Sequence, residues 1–314
     1  MRTVRRSYPV PSPIPTLAYA SAASRVAWIR STLLPEEQLH KLQDANLQGI
    51  RDALARSRCG KDVLLMIDEG ILPYEAAVRC LRKLEQLVAN LMPASGKRYL
   101  NSFSAAWMLE ELKARIVEET KGQGISDDSI RIAASLDAKM ATALKDAKVA
   151  QARETSELLL QLDKIYFEDL LEAADGLDRE QRAQLSGWLS PTLGWYNLKA
   201  EILAKKYGWQ EVPRLDVDGT FKGTSGLLSQ DPDEALRSGQ KTYEEEIYDW
   251  AKAQAHQDQF GVAPAQAALM LKQRELFILA ELLTAERYGV RLAQRRACQK
   301  NSLALPDQVY FVER

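Results

Sequence analysis

Three stretches of the 314-residue chain run to the same ending. They read Glu111-Leu-Lys-Ala-Arg-Ile-Val-Glu-Glu-Thr-Lys-Gly122, Asn197-Leu-Lys-Ala-Glu-Ile-Leu-Ala-Lys-Lys-Tyr-Gly208 and Ile278-Leu-Ala-Glu-Leu-Leu-Thr-Ala-Glu-Arg-Tyr-Gly289. The first and second agree at 5 of 12 positions and the second and third at 4 of 12; the closing glycines stand 86 and 81 residues apart. Cations in a last turn complement the helix dipole, and glycine takes the left-handed backbone that stops a helix. Such endings are common one at a time, so the near-equal spacing carries the argument. It predicts three similar helical modules.

The rest of the pattern agrees with an all-α chain. Long segments are rich in Ala, Leu, Glu, Gln, Lys and Arg, which lose little entropy on entering a helix. Apolar residues recur at three and four positions in Leu159, Leu162, Tyr166 and Leu170, in Leu109, Leu112 and Ile116, and in Leu276, Leu279 and Leu283. No run of alternating β-branched residues competes. Breaks are expected at Met92–Lys97, Gly122–Asp128 and Gln259–Pro264, and over a long Gly- and Pro-containing crossing from Gly208 to about Asp233. The modules then occupy residues 17–125, 126–210 and 211–314, in one body. Before them, Pro9, Pro11, Pro13 and Pro15 interrupt what could otherwise pass for a secretory core, so residues 1–16 read as an extended arm.

Composition removes several function classes. The 42 Lys+Arg against 43 Asp+Glu leave a formal net charge of −1, which provides no global basic field for nucleic acid. No apolar run approaches the ~18–20 residues of a bilayer-crossing helix, so the chain is expected to be soluble or peripheral to a membrane. Cys59, Cys80 and Cys298 lie far apart without a Cys-x-x-Cys pair, which fits a reducing compartment and offers no zinc framework. His40 and His256 stand among polar residues and read as surface side chains. Neither a metal nor a cofactor is expected.

Three motifs invite chemistry. Leu215-Asp-Val-Asp-Gly-Thr-Phe221 is similar to the Asp-x-Asp-Gly-Thr loop of haloacid-dehalogenase-type phosphatases, in which one Asp attacks phosphate and the other moves a proton. That loop must follow a buried parallel strand, whereas Trp209-Gln-Glu-Val-Pro-Arg214 is polar and contains proline, so a turn is expected. Asp127-Asp128 could be half of a metal-binding carboxylate pair, but Ser126 before them reads as a helix cap. Gly219, Gly223 and Gly226 lack the context of a phosphate cradle. Trp188 and Trp195, flanking Ser190-Pro191, are candidates for partner anchors or for packing between modules, and packing is the expectation.

A basic stripe near the C-terminus is the candidate docking site. Arg287, Arg291 and Arg295 are spaced by four, with Arg296 and Lys300 close by. On a continuous helix they share a face suited to an acidic partner or anionic lipid headgroups. A solvated helix end is the plainer alternative.

Taken in order, several of these residues resemble the C-type stalk protein of prokaryotic V/A-type ATPases, the counterpart of the d-type stalk protein in the eukaryotic vacuolar enzyme. Tyr19, Arg25-Val26, Arg30 and Leu33-Leu34 are similar to the family's opening helix. Leu162-Asp-Lys-Ile-Tyr-Phe167 resembles its Leu-Asp-x-x-Tyr-Phe segment, followed about thirty residues later by Asn197-Leu198-Lys199. Lys272-Gln-Arg-Glu275-Leu276 and Arg287-Tyr-Gly289-Val290 resemble its closing helix and stop. The chain departs from the family where Gly194 replaces an Asp, where Met108 and Glu111 replace the Asp/Asn pair, and where Ile278 replaces the Asn.

The resemblance implies a pseudo-threefold funnel or socket that couples mechanically and has no active site of its own. It implies shaft subunits D and F and a membrane rotor ring of small hydrophobic subunits as partners, with the soluble part of the membrane stator as a further contact. It also implies a peripheral place on the cytoplasmic face of a membrane, in ATP-coupled proton or sodium transport. An all-α scaffold or regulatory protein unrelated to rotary ATPases is the competing class.

Overall fold

A computed structural model describes residues 19–121, 124–150, 155–217, 219–223, 226–255 and 261–287. Among these residues run twelve α-helices and two 3-10 turns, with no strand, so the chain is all-α. The helices are α1 (Ala20–Ser31), α2 (Glu36–Lys41), α3 (Leu47–Leu54), α4 (Arg58–Asp68), α5 (Pro73–Asn90) and α6 (Ala94–Thr120). They continue with α7 (Asp127–Leu136), α8 (Ala138–Ala150), α9 (Thr155–Asp175), α10 (Arg179–Tyr207), α11 (Pro232–Ala255) and α12 (Val262–Arg287).

Local chemistry sets many of these boundaries. Asn46, Ser57, Ser126 and Asp178 each accept a hydrogen bond from the backbone N–H three residues on, starting α3, α4, α7 and α10. Each such cap contributes about 1 kcal/mol. Pro73 opens α5, where its missing N–H costs nothing. Gly208 ends α10 at φ +68°, and the Trp209 N–H turns back to the Ala204 carbonyl at 3.0 Å.

Two expected breaks are narrower than the sequence suggests. Helix α6 already begins at Ala94, and α12 begins at Val262, so Pro264 lies in a first turn that tolerates it. Pro191 does not stop α10 either. The Gly187 carbonyl loses its usual donor there, while the Thr192 hydroxyl donates to the Trp188 carbonyl at 2.6 Å.

The six long helices pack in a closed circuit: α5 on α6, α6 on α9, α9 on α10, α10 on α11, α11 on α12, and α12 back on α5. Helix α12 also touches α1, α3, α6 and α10, which makes it the hub. Its first half is buried on every side, from Val262 through Met270. Alanines at 263, 265, 267 and 268 let the surrounding helices approach closely. A large core runs from Tyr19 to Met270. A second core joins α3, α4 and the start of α5 to Leu276–Leu283 of α12, with Trp107 of α6 inserted. No helix among the described residues is long and apolar enough to cross a membrane.

The expectation for the cysteines needs correction. Cys59 and Cys80 are not apart: α4 and α5 form an antiparallel pair about the turn at Gly70, and a disulfide joins the two residues with 6.2 Å between their Cα atoms. Cys298 lies outside the described residues.

Candidate functional site

Several of the residues that carry the resemblance, among them Asp163, Tyr166, Asn197, Lys272 and Glu275, stand at three joints between helices. The first joins α6 to α9. Lys113 reaches Asp163 at 2.8 Å and Glu110 at 2.6 Å, and all three side chains are buried. Beside them the Tyr166 hydroxyl donates to the Phe103 carbonyl at 3.2 Å. Phe103 meets Trp188 of α10 edge-on, with centroids 5.7 Å apart.

The second joint fastens the crossing after α10 and then α11. The Asn197 carboxamide accepts from the Leu215 N–H at 2.8 Å and donates to the Leu215 and Val217 carbonyls at 3.3 and 3.2 Å. One side chain thereby holds the turn in which Asp216 is exposed. Residues 209–217 form turns and bends, without the strand that a phosphatase loop requires; Asp218 lies outside the described residues. Trp195 donates its indole N–H to Gln240 at 2.9 Å and packs against Phe221 and Tyr243. Trp188 and Trp195 are therefore packing residues, at 1% and 5% exposure. A cavity of about 30 Å³ beside this joint is lined by Asp163, Trp195, Tyr196, Lys199 and Tyr243 and has room for ordered water.

The third joint ties α12 to the N-terminal helices. Lys272 pairs with Glu275 at 2.5 Å and donates to the Thr32 carbonyl at 3.2 Å. Glu275 in turn accepts from the Leu34 N–H at 2.7 Å. Arg274 forks onto both Glu36 oxygens at 2.8 Å and stacks on Tyr248, whose hydroxyl also bonds Glu36. Burial would raise the Glu36 carboxyl, but the hydrogen bonds from Arg274 and Tyr248 outweigh it and hold the group below its usual range. Burial and the Glu36 bond push the Tyr248 phenol up to about 12. Deeper in, the Tyr99 hydroxyl of α6 donates to Gln266 of α12 at 2.8 Å.

Three residues that stand where the resemblance leads one to expect Asp or Asn have defined surroundings. Gly194 stands where the backbone of Gly219 crosses α10, and a Cβ on Gly194 would meet Gly219 at 3.0 Å. Glu111 points to solvent and pairs with Arg82 at 3.0 Å. Ile278 is buried in the second core, where no turn needs an Asn. Gly219 is the tightest point of the second joint: a Cβ there would fall 2.2 Å from the Gly194 nitrogen and 2.5 Å from the Ser190 carbonyl oxygen. Both are backbone atoms and cannot rotate away. Gly219→Ala is expected to lower the unfolding free energy by about 1–3 kcal/mol, read from urea titration.

Buried acids add a pH signature. Glu281 of α12 keeps one oxygen buried with no hydrogen-bond partner among the described residues, and burial pushes its carboxyl up to about 7. Glu85 is raised in the same direction by burial, despite the Trp107 indole N–H at 3.0 Å. An acid raised in the native state contributes most stability below its ordinary value of 4.5, and that contribution is lost as pH rises to about 7. Glu281→Gln is expected to exceed the parent's stability at pH 8 by about 2–3 kcal/mol, with the gap closing toward pH 4.5. Urea unfolding at the two pH values measures it.

The remaining sequence candidates divide cleanly. Ser126 caps α7 by accepting from the Ser129 N–H at 3.1 Å. Asp127 and Asp128 occupy the exposed first turn and pair with Lys148, and with Arg115 and Arg131. No group of three or more His, Cys, Asp or Glu side chains among the described residues is placed to hold a metal. His40 is exposed, 3.7 Å from Glu36. Of the basic docking candidates, Arg287 is the last residue of α12. Its side chain, Arg291, Arg295, Arg296 and Lys300, along with His256, lie outside the described residues. Spacing alone conceals the buried partner Asp163 of Lys113 and the distant partner Glu36 of Arg274. Only the recurrence of Lys and Glu on otherwise apolar faces hints at them. No family model and no curated protein matches the chain.

Proposed function

We propose that this protein is a non-catalytic adaptor in the central stalk of a V/A-type rotary ATPase or ATP synthase, joining a D–F shaft to the membrane rotor ring. The observation that carries the reading is the placement of Asp163, Tyr166, Asn197, Lys272 and Glu275. These residues, through which the chain resembles that family, act as fasteners between helices and not as solvent-facing chemistry. A torque coupler needs a body that deforms little. Close-packed interiors supply stiffness, and the six long helices close a circuit in which each packs on two neighbours. Buried ion pairs contribute modest net stability but penalise misregistered packing, which suits a part whose geometry is its function.

Light scattering on size-separated mixtures of the full chain with a D–F shaft from the same source tests the proposal. The expected result is a complex holding one copy of each subunit, at both low and moderate salt. Absence of any complex overturns the reading and leaves an all-α scaffold, with partners to be found by crosslinking.

A further inference from the structure

We propose that Cys59 and Cys80 are a reversible redox modification site whose disulfide locks α4 onto α5. The residues stand eleven before and ten after Gly70, so the helical hairpin itself brings them side by side. Their Cα separation of 6.2 Å falls inside the range that disulfides span without backbone movement. Cys59 belongs to the first turn of α4.

The lock acts on an outlying element. Helix α4 packs chiefly on α3 and α5, while Leu65 on its outer face is 62% exposed. Both cysteines are buried, at 4% and 5% exposure, so exchange with a small thiol reagent requires α4 to lift. Oxidation uses a low-molecular-weight disulfide, RSSR. The Cys59 thiolate attacks one sulfur, forming Cys59–S–SR and releasing RS⁻, which takes a proton. The Cys80 thiolate then attacks the Cys59 sulfur, closing the protein disulfide and releasing the second RS⁻. Two protein thiols are oxidised and one RSSR becomes two RSH. Once closed, the bond ties opening of α4 to opening of α5, which belongs to both cores and the helical circuit.

The test uses the full chain equilibrated with oxidised or with reduced glutathione, acid-quenched, then alkylated in denaturant and mapped by mass spectrometry. Of the three cysteines, the oxidised sample is expected to label only Cys298 and to yield a linked Cys59–Cys80 peptide; the reduced sample labels all three. Hydrogen exchange on the same samples is expected to show α4 amides at least about tenfold better protected in the oxidised form. In Cys80→Ser that protection no longer responds to glutathione. Three labels in the oxidised sample, a link through Cys298, or equal α4 exchange in the two states overturns the proposal.

Discussion

Replacing Lys272 by methionine is expected to lower the unfolding free energy by about 3–5 kcal/mol, although methionine fills nearly the same space. Lys272 is 1% exposed, and its ammonium is the close partner of Glu275 and a donor to the Thr32 carbonyl. Its removal leaves a carboxylate in the interior and a carbonyl without its bond. The second substitution distinguishes charge from packing. Lys272→Met with Glu275→Gln removes the stranded charge and keeps an amide oxygen to accept from Leu34, so more than half of the loss is expected to return. Chemical denaturation of the parent, the single variant and the double variant makes the comparison. Equal losses in both variants would assign the joint's contribution to shape alone.

Trp188→Ala is expected to cost about 3–5 kcal/mol, the range for emptying a buried aromatic site. The ring is 1% exposed and meets Phe103 at the seam between α10 and α6. Its indole N–H has no hydrogen-bond partner among the described residues, so the site values the ring's apolar volume and not its donor. Trp188→Phe should therefore lose less than half as much, because it keeps an aromatic edge for Phe103 and removes the stranded N–H. Thermal unfolding of the two variants checks the ranking. A Phe variant as damaged as the Ala variant would mean that the indole's full width holds the seam.

The chain is legible from its sequence where the determinant is local. The Gly208 stop and the Ser126 cap ahead of Asp127-Asp128 depend on residues a few positions apart, and both are present. It is not legible where two distant segments supply one interaction. Lys272 and Glu275 are visible as a pair on one helix, but their burial comes from Thr32 and Leu34, 240 and 241 residues away. Spacing alone separates Cys59 from Cys80, and only the turn at Gly70 folds them together. Trp188 can be assigned to packing but not to Phe103, because the seam exists only once α6 and α10 have met. Closure of the six long helices into a circuit likewise follows from contacts between helices far apart in the chain, which a repeat in the sequence does not specify.

The hub position of α12 has a consequence for biosynthesis. The ribosome releases α1 and α3 first, yet Val26, Ile29, Ile50 and Leu54 find much of their apolar surroundings against a helix that begins at Val262. Most of the polypeptide must leave the exit tunnel before the N-terminal helices can bury those faces. Non-local closure of this kind slows folding and lengthens the interval in which sticky surface is open to other chains. Truncation ahead of α12 removes the helix on which α1, α3, α5, α6, α10 and α11 all pack.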